Sequence, residues 1–212
     1  MKVLLVCGSP HEKGCTYTAL SEVAATLQEE GVEPVWFWMG KEPLSGCVAC
    51  GGCRGKGMCV RPDNSKVNEL IGLCAECDGV IIGTPVHFAA ASGGLTSLLD
   101  HVFYAGKKGP ENPFRLKPAA CVVSARRAGT TATFDQINKY FTICEMPVIS
   151  ARYWNMVHGN TPDEVRQDQE GMQCMRNLAR NMAWFLKCKE AGKAAGVREP
   201  VPEPVVSTNF IR

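Results

Sequence analysis

The chain has 212 residues and a mass of 23.0 kDa, room for one domain with a full core when a domain takes roughly 100 to 200 residues. Apolar residues make up 45% and charged residues 21%, which excludes a disordered or fibrous chain. With 23 Lys and Arg against 21 Asp and Glu the net charge is +2, too small and too evenly spread for a surface that tracks nucleic-acid phosphates.

Short β-rich apolar runs alternate with longer segments of helical period, the signature of parallel βαβ units. The first strand is predicted at Val3 to Cys7, and a helix follows at Thr16 to Glu29. A second strand, Val35 to Met39, runs into a Gly- and Cys-rich stretch at about 41–62. Beyond it come a helix at Ser65 to Cys74, a strand at Val80 to Gly83 and a helix at Gly94 to Tyr104. A strand at Ala119 to Ser124, a helix at Thr131 to Cys144 and a fifth strand at Val148 to Tyr153 complete the alternation. Thr161-Pro162-Asp163-Glu164 reads as a capping box with Pro at the first helical position, opening a last helix. The buried stripe of that helix is predicted as Val165, Met172, Met175, Ala179, Met182, Phe185 and Leu186. Residues 189–212 lose the period and carry Pro200, Pro202 and Pro204, which hold the backbone extended. Asn209-Phe210-Ile211 reads either as a frayed terminus or as an arm on a neighbouring subunit. The expected division is therefore one domain over 1–188, with the Cys-rich insert at about 41–62, and a tail over 189–212.

Cysteine is the outlier, at 12 residues. The first residues carry one Lys and a short apolar run ending in Gly-Ser-Pro, not the regions of a secretory leader. No stretch approaches the roughly 20 apolar residues that cross a bilayer. The expectation is a cytoplasmic protein without a membrane or nucleic-acid partner, in which clustered cysteines serve metal or redox chemistry rather than bridges.

In an open parallel sheet, ligands sit beyond the carboxyl ends of the strands, where strand order reverses. Three loops are predicted there. Gly8-Ser9-Pro10-His11-Glu12-Lys13-Gly14-Cys15-Thr16 combines small residues, hydroxyls and a helix N-terminus, the parts of a phosphate cradle. It lacks both the nucleotide P-loop and the dinucleotide glycine pattern, so a single phosphate fits better, and an ordinary βα turn would carry similar residues. Gly83-Thr84-Pro85-Val86-His87-Phe88 offers a stiff turn and two rings that could lie against a flat heterocycle. Ser124-Ala125-Arg126-Arg127-Ala128-Gly129-Thr130 adds guanidinium groups and backbone donors. One phosphate and one ring system at one edge point together to flavin mononucleotide, FMN.

The combination of Gly8-Ser9-Pro10, Gly14-Cys15-Thr16, Gly83 to Phe88, Ser92-Gly93 and Leu98-Leu99-Asp100 resembles the NADPH-dependent FMN reductase and iron-sulfur flavoprotein branch of the flavodoxin-like superfamily. The resemblance covers about residues 1–188. It implies an α/β three-layer sandwich with a five-stranded parallel sheet in order 2-1-3-4-5, FMN at the strand ends, and a homodimer or homotetramer. Carried over by position, it implies that Ser9, His11, Cys15 and Thr16 line the phosphate. Thr84, Pro85, Val86, His87 and Phe88 would flank the isoalloxazine, and Ser124, Arg126, Gly129 and Thr130 would close its pyrimidine side. The activity implied is an oxidoreductase taking hydride from NADPH or NADH onto FMN N5 and passing electrons to a small-molecule or ferredoxin-like acceptor, with no catalytic side chain required. His11, Cys15, His87, Thr96 and His101 stand where relatives often carry Arg, Asn, Tyr, Lys and Arg.

Cys47-x2-Cys50-x2-Cys53-x5-Cys59 lies in the Gly-rich insert, and its first three cysteines match the run of bacterial ferredoxins. The fourth comes later than in ferredoxins but agrees with the iron-sulfur flavoproteins, which implies a [4Fe-4S] centre. Structural zinc, which usually takes two Cys pairs across a longer insert, fits less well. Cys74-x2-Cys77, Cys7, Cys121 and Cys144 read as buried small hydrophobes. Two other classes remain open at this point: a flavin or iron-sulfur electron carrier with no nicotinamide site, and a thiol or metal redox-sensing module.

Overall fold

The computed structural model describes residues 1–61 and 65–208. The expected arm at Asn209-Phe210-Ile211 lies outside them. The elements run β1 (Lys2–Cys7), α1 (Cys15–Glu29), β2 (Glu33–Trp38), α2 (Ser65–Glu76), β3 (Gly79–His87), β4 (Ala90–Ala91) and α3 (Gly93–Gly106). Then follow β5 (Ala119–Ala125), α4 (Thr130–Thr142), β6 (Met156–His158), α5 (Pro162–Gln167) and α6 (Gln169–Ala194). The sheet order is β2-β1-β3-β5-β6, all neighbours parallel, with β4 paired antiparallel to β3. This is the flavodoxin-like α/β arrangement.

The central strands are apolar on both faces, as a doubly covered parallel sheet demands. Leu4, Val6, Val80, Ile82, Cys121 and Val123 pack with α2, α3 and α4. Val3, Leu5, Ile81, Ala120 and Val122 pack with α1 and α6 on the other face. No helix among the described residues is long and apolar enough to cross a membrane.

Three expectations shift. The fifth strand is Met156–His158, not Val148 to Tyr153; only Val148 bridges Ala119, with Ile149 N–H donating to the Ala119 carbonyl at 2.8 Å. The cause is Asn155, which is buried where the chain leaves the ladder. Its Oδ1 accepts Ala151 N–H at 3.1 Å, and its Nδ2 donates to the Cys121 carbonyl at 3.0 Å. These bonds hold 151–155 as a bulge before pairing resumes at Val123↔Met156. Second, the capping box opens only the short α5, with Thr161 Oγ1 accepting Glu164 N–H at 3.2 Å. The chain turns at Asp168, whose carboxylate caps α6 through Gly171 N–H at 2.9 Å and accepts His158 N–H at 2.7 Å. Val165 thus sits on α5, while Met172, Met175, Ala179, Met182 and Leu186 form the buried stripe of α6 and Phe185 is only half-buried. Helix α6 continues through Ala194, past residue 188 where its apolar period fades. Third, β3 runs on through Thr84 to His87, because pairing with β5 extends to Pro85↔Ser124.

Cys7, Cys74, Cys77, Cys121 and Cys144 are buried, as small hydrophobes would be. Burial pushes the Cys74 thiol up to about 12 and raises Cys121 by the same cause. In the unfolded chain a thiol ionises near pH 8.5, so above about pH 8.5 the unfolded state releases protons that the native state retains. This contribution to stability is fully present below that pH and is lost as pH rises toward the folded value. Each such thiol is expected to remove up to about 1.4 kcal/mol per pH unit in that window. Lys117, whose amine donates to the Cys74 carbonyl, is lowered by burial and acts in the opposite direction. Urea unfolding under reductant at about pH 7.5 and about pH 9.5 should therefore show a falling midpoint, with a shallower fall in the Cys74→Ala, Cys121→Ala double variant.

Candidate functional site

Strands β1, β3 and β5 end together, and the chain leaving each stays in contact with its neighbours. Gly8 N–H donates to the Gly83 carbonyl at 2.8 Å, so the first turn lies against the end of β3. A Cβ on Gly8 would stand 2.5 Å from Leu95 Cδ2 and 2.8 Å from the Gly83 oxygen, which only glycine tolerates. Ser92 caps α3 and donates its hydroxyl to the Gly8 carbonyl at 2.9 Å, while its N–H donates to Thr84 Oγ1 at 3.3 Å. Thr16 Oγ1 and Ser124 Oγ are 2.8 Å apart, joining the first turn of α1 to the end of β5 inside the protein.

Beyond β3 the chain reverses in a two-residue hairpin, with Val86↔Ala91 and His87↔Ala90 paired. Its corner residues, Phe88 and Ala89, hold φ of 52° and 58°, a left-handed conformation costing roughly 1–2 kcal/mol per L-residue. Ala91 N–H donates to Gln136 Oε1 at 2.9 Å, which fastens the hairpin to α4. Gly129, with φ of 97°, lies beneath the corner: a Cβ there would meet Ala89 Cα and Val86 Cγ1, each at 2.8 Å.

Helix caps separate the elements by role. Helices α3, α5 and α6 are capped by their own side chains, Ser92, Thr161 and Asp168. Helices α1 and α4, which open from Gly14 and Gly129, have no side-chain cap and no acid in the first turn. Orphan N–H groups and a positive dipole end remain there for an outside anion. Ser9 is buried, accepts His11 N–H at 3.1 Å, and its own O–H donates to no described residue.

Ser9, Thr16, Thr84, Pro85, Val86, Ser124, Gly129 and Thr130 are thus gathered along one seam. His11, His87, Phe88 and Arg126 stand around it with exposed side chains, Phe88 completely so. Cys15 turns its thiol toward the Gly159 carbonyl at 3.7 Å, and burial raises its pKa. Ser92, which the sequence marks only as part of the family motif, acts as a brace through its bonds to Gly8 and Thr84. One contributor escapes a reading of loops: Trp38, at the end of β2, donates Nε1–H to the Ser9 carbonyl at 2.8 Å. A Trp ending a strand gives no sequence signal of such a bond.

The four insert cysteines, Cys47, Cys50, Cys53 and Cys59, line one recess with His101 and Tyr104. Cys53 is raised mainly by burial, with the other three thiols adding to the shift. Among the described residues no group of three or more His, Cys, Asp or Glu is placed to hold a single metal ion. A cubane cluster asks for a wider arrangement, since each thiolate binds its own iron. An all-thiol donor set around one recess fits that chemistry.

The fold and the glycine-lined seam at the carboxyl edge define a flavodoxin-like protein. Solved structures bear this out at the level of fold. RosB, solved with bound 8-demethyl-8-formylriboflavin-5'-phosphate, aligns with a TM-score of 0.69 at 13% identity over 100% of this chain and 93% of its own. A flavodoxin from the Archaea aligns at 0.56 and 12% identity, over 88% and 99% of the two chains. The model of the family NADPH-dependent FMN reductase matches residues 1–161, and the chain belongs to that family. An iron-sulfur flavoprotein of Methanocaldococcus jannaschii is 30% identical over 192 residues, covering 88% of this chain and 98% of that protein. An NADPH-dependent FMN reductase of Pseudomonas putida is 32% identical over 100 residues, 47% of this chain and 46% of its own.

Proposed function

We propose that residues 1–188 form an FMN-binding NAD(P)H oxidoreductase, that the insert at 41–62 holds a [4Fe-4S] centre on Cys47, Cys50, Cys53 and Cys59, and that 189–212 is an accessory tail. The observation that carries the flavin reading is the Thr16 to Ser124 hydrogen bond at 2.8 Å. It joins the phosphate-type turn to the third loop at the strand ends. FMN held at this seam would supply the redox chemistry, hydride uptake from NADPH or NADH and electron release to an acceptor.

The chain's part is to bind and orient. Ser9 and the uncapped first turn of α1 offer hydroxyl and N–H donors to the phosphate, with His11 and Thr16 beside them. Thr84 and Pro85 set the floor under the ring, and the hairpin at Val86, His87 and Phe88 walls one side. Ser124, Arg126, Gly129 and Thr130 close the other. Four thiolates around iron would add single-electron transfer to a ferredoxin-like acceptor. The assembly is a homodimer or homotetramer in this reading, in which a second copy would cover the fully exposed Phe88 ring beside the cleft.

Anaerobic addition of NADPH or NADH to FMN-loaded protein is expected to bleach the blue flavin band within the mixing time of steady-state assays. Bleaching by dithionite but by neither nicotinamide would reduce the protein to an electron carrier. A broad brown absorbance in natively purified protein would mark the cluster.

A further inference from the structure

Among its described residues, 41–61, the insert has no helix or strand of its own, yet it is fastened at several points. Gly55 N–H donates to the Lys108 carbonyl at 2.8 Å, and a Cβ on Gly57 would stand 3.0 Å from Gly109 Cα, so 55–57 lie against the end of α3. Cys59 exchanges two bonds with Asn68 of α2: its N–H donates to Oδ1 at 2.8 Å and its carbonyl accepts Nδ2–H at 2.9 Å. The third attachment is different in kind, because it reaches a sulfur. His101, 2% exposed on α3, places Nε2 3.1 Å from the Ser45 carbonyl and Nδ1 3.5 Å from Cys59 Sγ. A carbonyl only accepts, so Nε2 carries a hydrogen and the ring orientation is fixed; Nδ1 accepts the Cys59 S–H in the metal-free protein, and as that thiol binds iron its proton passes to Nδ1, which then donates to the thiolate.

We propose that His101 is a positioning residue for the four-cysteine centre: anchored on α3, its imidazole joins the carbonyl that precedes the first thiol to the sulfur of the last, and so sets the span across which the four thiols close. The role rests on the reading of the insert as a cluster loop. Ser45 lies just ahead of Cys47, and Cys59 ends the motif, so one rigid ring gauges the distance between the two ends of a loop without secondary structure. Such a gauge matters because ordering a flexible loop costs backbone entropy at every residue, and a loop already held open at the right width loses less on taking up metal. Helix α3 also carries Ser92 at its other end, bonded to Gly8 and Thr84. The same helix therefore holds the cysteine recess and the seam at the strand ends in one frame. Groups that fasten metal ligands from behind act in this way, and losing one typically costs about 10- to 100-fold in metal affinity.

The test compares wild type with His101→Leu, which lacks both bonds, and His101→Gln, whose amide keeps a donor for the Ser45 carbonyl. FMN-loaded proteins are reconstituted anaerobically with ferrous iron and sulfide and then challenged with a chelator. Iron loss is expected to be at least about 10-fold faster in the Leu variant and intermediate in Gln, with FMN content unchanged in both. In protein labelled with 15N-histidine, the reduced cluster of wild type should show nitrogen coupling by electron spin echo, absent from the Leu variant. Equal iron loss together with unchanged nitrogen coupling would overturn the proposal while leaving the cluster standing. The metal-free proteins give a second reading, the alkylation rate of Cys59 relative to exposed Cys188. A relative rate at least about 3-fold higher in the Leu variant supports the hold of His101 on Cys59 in the metal-free loop; if wild type takes up no iron, the cluster reading fails and the role of His101 toward a cluster fails with it. No iron uptake and an unchanged Cys59 rate overturn both.

Discussion

Gly129→Val is expected to weaken FMN binding by about 100-fold, the largest loss from any single change in the third loop. The residue sits at φ 97°, where an L-side chain costs roughly 1–2 kcal/mol. Its new Cβ would meet Ala89 Cα and Val86 Cγ1 at 2.8 Å, and one of these atoms is backbone, so the hairpin or the loop must move. Overpacking of this kind costs about 1–3 kcal/mol. Together the two terms reach about 2–5 kcal/mol, and each 1.4 kcal/mol carried into binding is about tenfold in Kd. Because Thr130 begins α4 directly after Gly129, displacement would also re-aim the uncapped N-terminus of that helix. Fluorescence titration with FMN measures the effect. Gly129→Ala, with the same Cβ contacts but no further carbons, should fall between valine and wild type. An unchanged Kd in the valine variant would remove residues 124–130 from the flavin site.

Asn155→Leu is expected to be the most destabilising change outside the cleft. Asn155 is 1% exposed and its side chain makes both bonds that shape the bulge, to Ala151 N–H and the Cys121 carbonyl. Leucine fills a similar volume but leaves the part-buried Ala151 N–H and the buried Cys121 carbonyl without this partner, at about 1–3 kcal/mol each. The sum, about 2–6 kcal/mol, is a large share of the roughly 5–15 kcal/mol that holds a domain folded. A fall of the urea midpoint without a change in slope would locate the loss in the native state. Since β6 leads to Gly159, whose carbonyl faces Cys15, the same variant should loosen the far side of the phosphate turn. Asn155→Asp, which keeps the acceptor for Ala151 but sets a buried carboxylate against the Cys121 carbonyl oxygen, should lose at least as much at neutral pH and recover only as the carboxyl protonates and can donate.

Much of the architecture was legible because periodicity is a local property. Val3 to Cys7 and Ala119 to Val123 are unbroken apolar runs, which only strands covered on both faces require, and the intervening helices show the spacing of one buried stripe. The segment from Val148 to Tyr153, apolar but broken by Ser150 and Arg152, also reads as a strand and misleads. Whether it paired depended on Asn155, a polar residue that becomes structural only once the Cys121 carbonyl of a distant strand is beside it. The capping box at Thr161 was read correctly as a helix start, but its length was set by Asp168, whose carboxylate is shared between His158 and Gly171. Of the candidate site, the glycines and hydroxyls of the three loops could be named from their order along the chain. The bonds made by Ser92, the bond from Trp38 and the pairing of Thr16 with Ser124 could not.

The amino-acid order alone determined an alternating α/β chain, the edge of the sheet at which its loops gather, and a tight set of four thiols. All three follow from spacing within a few residues, where the geometry of helix, strand and turn leaves little choice. Tertiary structure decided where the last strand forms, that two hydroxyls 108 positions apart share one hydrogen bond, and that a histidine on α3 reaches the last thiol of the insert. Those outcomes depend on which buried donor meets which buried acceptor, and a contact of that kind exists only after the layers have packed.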